Sequence, residues 1–376
     1  MSATNVGMRL AVIAAAATLP FAAGTSPASQ PGEAAGSGFE QLLDQLPAAV
    51  LDADGAMLMY VDMTVVWDRL GVGDDPDERL DNLGRTGLVE SWSFVPQMFD
   101  AYVAQVDEAR AEVGFSALEI DREVAVLAPP RRVVIAATTV PASDVVAAIE
   151  SDPVWSPDLE EAVTESGRYW HWGGEDFEIH ADRRSPLRPL GRGGQLAILD
   201  EEPATVIRTI AARDMAATQQ AAAGAVPSAL DTGPLADALA TFHGATVVQA
   251  IGVTEPGGGP PPNVTREQLE QLLADESSFV LPYTGLVVAE LTDGESFWVE
   301  VLLVHPAPQV AAANAERVIT FLRDGTDMVS RRPIAELLPA ATVDGSGTVV
   351  RVTVDDPAAF RVLVQMLQQR ALFPVG

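Results

Sequence analysis

Arg131-Arg132-Val133-Val134-Ile135-Ala136-Ala137-Thr138 runs through Thr139-Val140 into Pro141-Ala142-Ser143-Asp144 and then Val145-Val146-Ala147-Ala148-Ile149-Glu150. β-Branched residues in the first part favour a pleated, extended backbone, and the proline fixes a corner. The Ala-rich tail, with an acid in its first turn, favours a helix. The segment therefore predicts strand, proline corner, helix. The same grammar returns at 298–304 with His305-Pro306-Ala307-Pro308 and a helix after it. Two shorter versions occur, 196–199 followed by Asp200-Glu201-Glu202-Pro203-Ala204, and 350–354 followed by Asp355-Asp356-Pro357-Ala358. Aligning Pro141 with Pro306 gives a shift of 165 residues and aligning Pro203 with Pro357 gives 154, a difference that loop insertions can supply. The expected fold is α+β: mixed or antiparallel sheets covered by helices, with an internal duplication of a strand-helix-hairpin-strand-helix unit.

Charge and composition narrow the possible partners. The 376 residues carry 53 acidic against 23 basic side chains, a net charge of -30, and every basic residue is Arg. Between residues 39 and 130 alone, 19 acids face 5 Arg. Such a field repels nucleic acid and anionic lipid. The absence of Lys fits either a GC-rich genome or a salty medium that screens carboxylate repulsion. No cysteine is present, which removes disulfides, thiolate catalysis and Cys-ligated metals.

At the N-terminus Arg9 precedes an apolar run, 10–21, and then the small residues 22–28, the pattern of a secretory signal peptide (1–28) cleaved after Gly24 or Ala28. The run falls short of the roughly 20 apolar residues a spanning helix needs, so no integral span is expected in the mature chain. Export to the medium or cell surface is the expectation, with an N-terminal membrane anchor as the alternative. Residues 29–37 read as a tether and 38–254 as an N-terminal α+β domain. Pro256-Gly257-Gly258-Gly259-Pro260-Pro261-Pro262 marks a linker (255–264), and 265–376, opened by a capping box at Thr265 and Gln268, reads as a C-terminal α+β domain.

Local motifs for chemistry are few. Gly345-Ser346-Gly347 lacks the spacing of a nucleophile elbow, and a phosphate-cradling loop is impossible without Lys. Asp74, Asp75 and Asp77 form an acidic loop without the Gly and Glu of a calcium loop. Residues 92–113 predict one amphipathic helix, with Pro96 in its first turn.

The sharpest stretch is Tyr169-Trp170-His171-Trp172-Gly173-Gly174-Glu175-Asp176-Phe177-Glu178-Ile179-His180. A two-residue turn at Gly173-Gly174 would set Trp172 opposite Glu175 and Trp170 opposite Phe177, with Trp170 and Trp172 on one face. His171, Asp176, Glu178 and His180 would share the other face, where a divalent metal or an acid/base pair could form. Arg183, Arg184, Arg188 and Arg192 follow among Pro and Gly, the only concentrated positive charge. With Trp170 and Trp172 they are candidates for ligand binding, and their alternative role is to pair with the acidic N-terminal part.

These observations favour a non-enzymatic exported protein that binds a small molecule or an envelope partner, with no cofactor. A hydrolase using the His171/His180 face and an acidic structural surface protein are the alternatives.

Overall fold

The computed structural model of the chain describes residues 38–53, 55–73, 75–86, 96–99, 105–153, 159–173, 180–188, 190–199, 202–242, 244–254, 280–327, 329–369 and 372–373. The expected signal peptide, tether, linker and the helix from Thr265 lie outside these residues. Residues from Gly36 onward belong to one compact unit.

The opening segment folds as its residues predict. Strand β3 (Arg131–Thr138) turns at Pro141 into helix α5 (Ala142–Ser151), which buries Val145 and Ile149, four residues apart on one stripe. Each such side chain contributes roughly 1.5–3 kcal/mol of burial. β3 pairs on one side with β2 (Ile120–Ala128) and on the other with β7 (Thr205–Thr209). Beyond β7 lie β6 (Gly194–Leu199), β5 (Gly167–Trp172) and the edge strand β4 (Leu159–Thr164).

On its other side β2 pairs with β1 (Met57–Asp62), whose last residue caps helix α2 (Met63–Leu70) by accepting from the Thr64 and Val65 N–H groups. β1 in turn pairs with β8 (Thr246–Thr254), and the sheet continues through β9 (Gly285–Thr292), β10 (Phe297–Val304), β12 (Val349–Val354) and β11 (Thr342–Ser346). The described strands thus form one twelve-stranded antiparallel sheet. The two stretches expected as separate domains share it, since β8 and β9 pair along their length.

Strand order is nearly symmetric about the β1/β8 pair. It runs β1-β2-β3-β7-β6 one way and β8-β9-β10-β12-β11 the other, with β5 and β4 added at the first end. In both directions a hairpin (β2–β3, β9–β10) leads into a helix, α5 or α8 (Pro308–Asp324), and a second hairpin follows (β6–β7, β11–β12).

Helices cover both faces, as a sheet apolar on both sides requires. On one face α1 (Gly38–Asp44), α6 (Ala212–Ala222) and α7 (Ala236–Leu239) bury Phe39, Leu43, Met215 and Leu239 against Tyr60, Ile135 and Ile207. On the other, α2, α4 (Val106–Val113) and α5 cover the first half of the sheet. There α8, the short α9 (Ile334–Leu337) and α10 (Ala359–Gln368) cover the second half, through Val318, Phe321, Phe360 and Leu363. Among the described residues no helix is long and apolar enough to cross a membrane.

Three local expectations change. After β6 the chain does not start a helix at Pro203 but re-enters the sheet as β7, because Thr205-Val206-Ile207-Arg208-Thr209 is β-branched and alternating. The 92–113 helix is described as helical only from Val106, and Pro96–Phe99 is irregular. There the Gln97 and Met98 N–H groups bond to the Glu123 carboxylate on β2 and are not free for helical hydrogen bonds. The acidic loop is shorter than expected, since Pro76 opens helix α3 (Pro76–Thr86).

Candidate functional site

Strand β5 divides its side chains by simple alternation. Trp170 and Trp172 enter the core on the face covered by α4 and α5 and are 3% exposed each. Tyr169 and His171 point to the opposite face. β5 is an interior strand: Trp172 lies between Leu159 of β4 and Gly194 of β6, and Trp170 between Glu161 and Leu196. The partners expected for them, Glu175 and Phe177, lie outside the described residues.

On the Tyr169/His171 face the register builds a polar row across four neighbouring strands. Glu160 of β4 stands opposite His171, His171 opposite Gln195 of β6, and Gln195 opposite Thr209 of β7. Glu160 Oε2 lies 3.4 Å from His171 Nε2, and the Thr209 hydroxyl donates to Gln195 Oε1 at 3.1 Å. Gln195 is 4% exposed, and its amide nitrogen has no hydrogen-bond partner among the described residues.

Above the row opens a pocket of about 270 Å³, lined by Tyr169, His171, Gly173, Gly194, Gln195, Ile210 and Ala212. Its floor is β5 and β6, and its wall is the chain entering α6. On the opposite face a Cβ on Gly194 would meet the Trp172 ring at 2.7 Å, so glycine there lets the indole pack against β6. α6 is held over the sheet by Gln219, whose amide donates to the Arg168 carbonyl at 3.0 Å and accepts from Thr164 Oγ1 at 3.3 Å. At its start stands Ala211, which supplies no side-chain cap. The first-turn acid Asp214 is turned inward, 1% exposed, onto Arg131 at 2.7 Å.

The Arg loop lies on the Trp face, away from this pocket. Arg188 is buried and 3.8 Å from Glu112 of α4, and its guanidinium stands 6.0 Å from the Trp172 ring centroid. The same Glu112 accepts from the Ser185 hydroxyl and, at 3.1 Å, from the Leu187 N–H. The Arg192 carbonyl accepts from Trp172 Nε1 at 3.0 Å. Arg183 ends a single 3₁₀ turn (Ala181–Arg183), and Arg184 beside it is exposed. Of the four arginines, Arg188 is the one that the described contacts set against an acid of the N-terminal part, Glu112.

Of the proposed metal set, Asp176 and Glu178 lie outside the described residues. His171 has Glu160 as its carboxylate neighbour, and the His180 N–H donates to the Leu190 carbonyl. Among the described residues no three His, Asp or Glu side chains converge as a metal site. Sequence reading did not single out Glu160, Gln195 or Thr209. Their alternation within each strand was available as a signal, but their register across strands was not.

No protein-family model matches the chain, and no curated protein matches it. Two solved structures, crystal forms I and III of TP0453, are similar at TM-score 0.37 each, with 10% and 11% identity. The alignments cover 85% and 86% of this chain and 97% and 98% of theirs.

Proposed function

We propose that the chain is an exported binding protein that holds a small molecule in the pocket between β5, β6 and the start of α6. One observation carries the reading: a concave site with mixed apolar and polar walls, Ile210 and Tyr169 beside His171 and Gln195, at the end of a rigid sheet. Among the described lining residues, the wall beside His171 offers the Tyr169 phenol but no serine, threonine or carboxylate, and Glu160 is largely solvated, which favours binding over hydrolysis. The 1–28 pattern supports export. The near-symmetric strand order supports an internal duplication, in which β4 and β5, the latter lining the pocket, are an addition to the first copy.

A thermal-shift screen of small polar metabolites against the full chain and its Ile210→Trp variant tests the reading. At least one compound should raise the melting temperature of the wild type and leave the filled-pocket variant unmoved, since saturation at a hundred times Kd stabilises by about 2.7 kcal/mol. If every shift is equal in both proteins, the pocket is not the binding site.

A further inference from the structure

Outside the pocket, His305 and Asn314 form a buried polar pair beneath α8. We infer that they are a pH-sensitive latch: protonation of the His305 ring releases the chain at Leu281, just before β9, from helix α8. The latch is independent of the pocket. His305 follows β10 and is 2% exposed, and Asn314, on the inner side of α8, is fully buried. The Asn314 amide is matched to the Leu281 backbone at both ends: Oδ1 accepts from the Leu281 N–H at 2.7 Å, and Nδ2 donates to the Leu281 carbonyl at 3.3 Å. That pairing fixes which way round the amide sits. Its second N–H is thereby directed at His305 Nε2, 2.7 Å away. Nε2 must then accept, so the ring is neutral and carries its proton on Nδ1, which donates to the Thr348 carbonyl at 3.3 Å.

A second proton has no place in this arrangement. On Nε2 it would point an N–H at the Asn314 NH2 group, donor against donor. Turning the amide over would offer its oxygen to the imidazolium, but it would also set the NH2 group against the Leu281 N–H, and both bonds to Leu281 would be lost. Either way the loss falls on the contact between α8 and residue 281. One residue past Tyr283 the sheet takes over, since the Thr284 N–H bonds to the Val304 carbonyl at 2.8 Å. The element released is therefore 280–283. Tyr283 within it donates to the Phe373 carbonyl at 3.1 Å, which links the latch to the end of the chain.

No described charge stands ready to hold the imidazolium. Around the ring, the 280–283 segment brings Tyr283, whose phenol burial keeps un-ionised, and α8 brings Glu316 and Arg317, both exposed. The β11–β12 hairpin brings Asp344, also exposed, and α7 brings Asp237, which is engaged by the Thr348 hydroxyl. Among the described residues no carboxylate lies within ion-pair distance of the ring. Burial lowers the proton affinity of His305, against the raising effect of the Thr348 and Leu303 backbone. The folded chain thus binds this proton less well than the unfolded chain does. The latch is closed above about 6.5, the ordinary histidine value, and loosens as pH falls below it.

The test is hydrogen–deuterium exchange of the full chain between about pH 8 and about pH 5, resolved at Leu281, with the His305 ring followed by NMR. The protection factor of the Leu281 amide should fall about tenfold per pH unit below about 6.5, as opening coupled to uptake of one proton requires. Amides of β3 should show no such fall. His305→Gln, whose side-chain oxygen can still accept from Asn314 but takes no proton, should make Leu281 protection independent of pH. Asn314→Asp keeps the shape and turns a carboxylate toward the ring, so His305 should titrate above about 6.5 and the response should reverse. This second variant keeps the test decisive should His305→Gln fold poorly. Leu281 protection that is flat with pH in the wild type overturns the inference. So does a fall that persists in His305→Gln, or a wild-type ring that titrates at or above about 6.5.

Discussion

Glu123 carries the clearest electrostatic consequence in the chain. It is 3% exposed on β2, and burial pushes its carboxyl up to about 7, against the lowering effect of the Gln97 and Met98 N–H groups and the nearby Arg132 and Arg208 charges. Because the folded chain holds this proton more tightly than the unfolded chain does, the group contributes stability that is fully present below about 4.5. That contribution is lost as pH rises through about 7. At about 1.4 kcal/mol per pKa unit the full effect is on the order of 3 kcal/mol. Urea denaturation at a series of pH values should therefore show the wild type losing stability over this window relative to Glu123→Gln. Parallel profiles for the two proteins would mean that the carboxyl titrates normally. The same side chain explains a missed element boundary: two backbone donors that helix periodicity assigned to a helix are held by a carboxylate more than twenty residues away in sequence.

The Arg loop and helix α2 are each fixed by one buried acid. Glu112 of α4 receives Arg188, the Ser185 hydroxyl and the Leu187 N–H, so the loop is bound to the helix through a fully desolvated pair. Removing one partner of such a pair strands the other, at about 3–5 kcal/mol. Arg188→Gln should accordingly lower the melting temperature, while Arg184→Gln, on an exposed side chain, should change stability by no more than about 0.5 kcal/mol. Equal effects from the two would return the loop to the role of a solvated cation patch. On β9, Glu290 is 1% exposed and accepts from Arg69 of α2 at 2.7 Å and from the Gln249 amide at 2.6 Å. Arg69 also lies over the Phe297 ring at 4.4 Å. Glu290→Ala should cost about 3 kcal/mol in chemical denaturation, and a loss below 1 kcal/mol would show that Arg69 finds water instead. Elements with local signals were legible in advance: the β3–α5 corner, and strand β10 with the helix α8 that follows it. Each is written in residues a few positions apart. The polar row was not legible, because Glu160, His171, Gln195 and Thr209 come from four strands and only hydrogen-bond register brings them together. β2 escaped notice because Asp121, Arg122 and Glu123 open it with charge, and α6 because its first residue follows an alanine where a capping side chain was sought.

A continuous sheet makes the described chain a single cooperative object, although the Pro/Gly segment 256–262 suggested two. β1 and β8 pair side by side in the middle of it, and β8 also pairs with β9, so neither half can lose its strands without exposing the edge of the other. Calorimetry of the full chain should give one transition with matching calorimetric and van't Hoff enthalpies. Salt then distinguishes the two kinds of charge. The pairs Arg69–Glu290, Arg131–Asp214 and Arg188–Glu112 each include an almost fully buried acid and are weakly screened. The excess behind the net charge of -30 repels itself through solvent, where the screening length is about 30 Å at 0.01 M salt and about 3 Å at 1 M. Raising sodium chloride from 0.01 M to 1 M should therefore raise the melting temperature by several degrees and then level off, because the surface term saturates once the screening length falls below the spacing of neighbouring carboxylates. Glu290→Ala should follow the same curve, shifted down, since the pair it removes is sheltered from salt. If stability keeps climbing beyond 1 M, ion exclusion and not screening is responsible, and the acidic surface is then an adaptation to brine. A flat response would mean that the acids are spaced too far apart to oppose folding, and the Arg-only composition would then be left to codon usage.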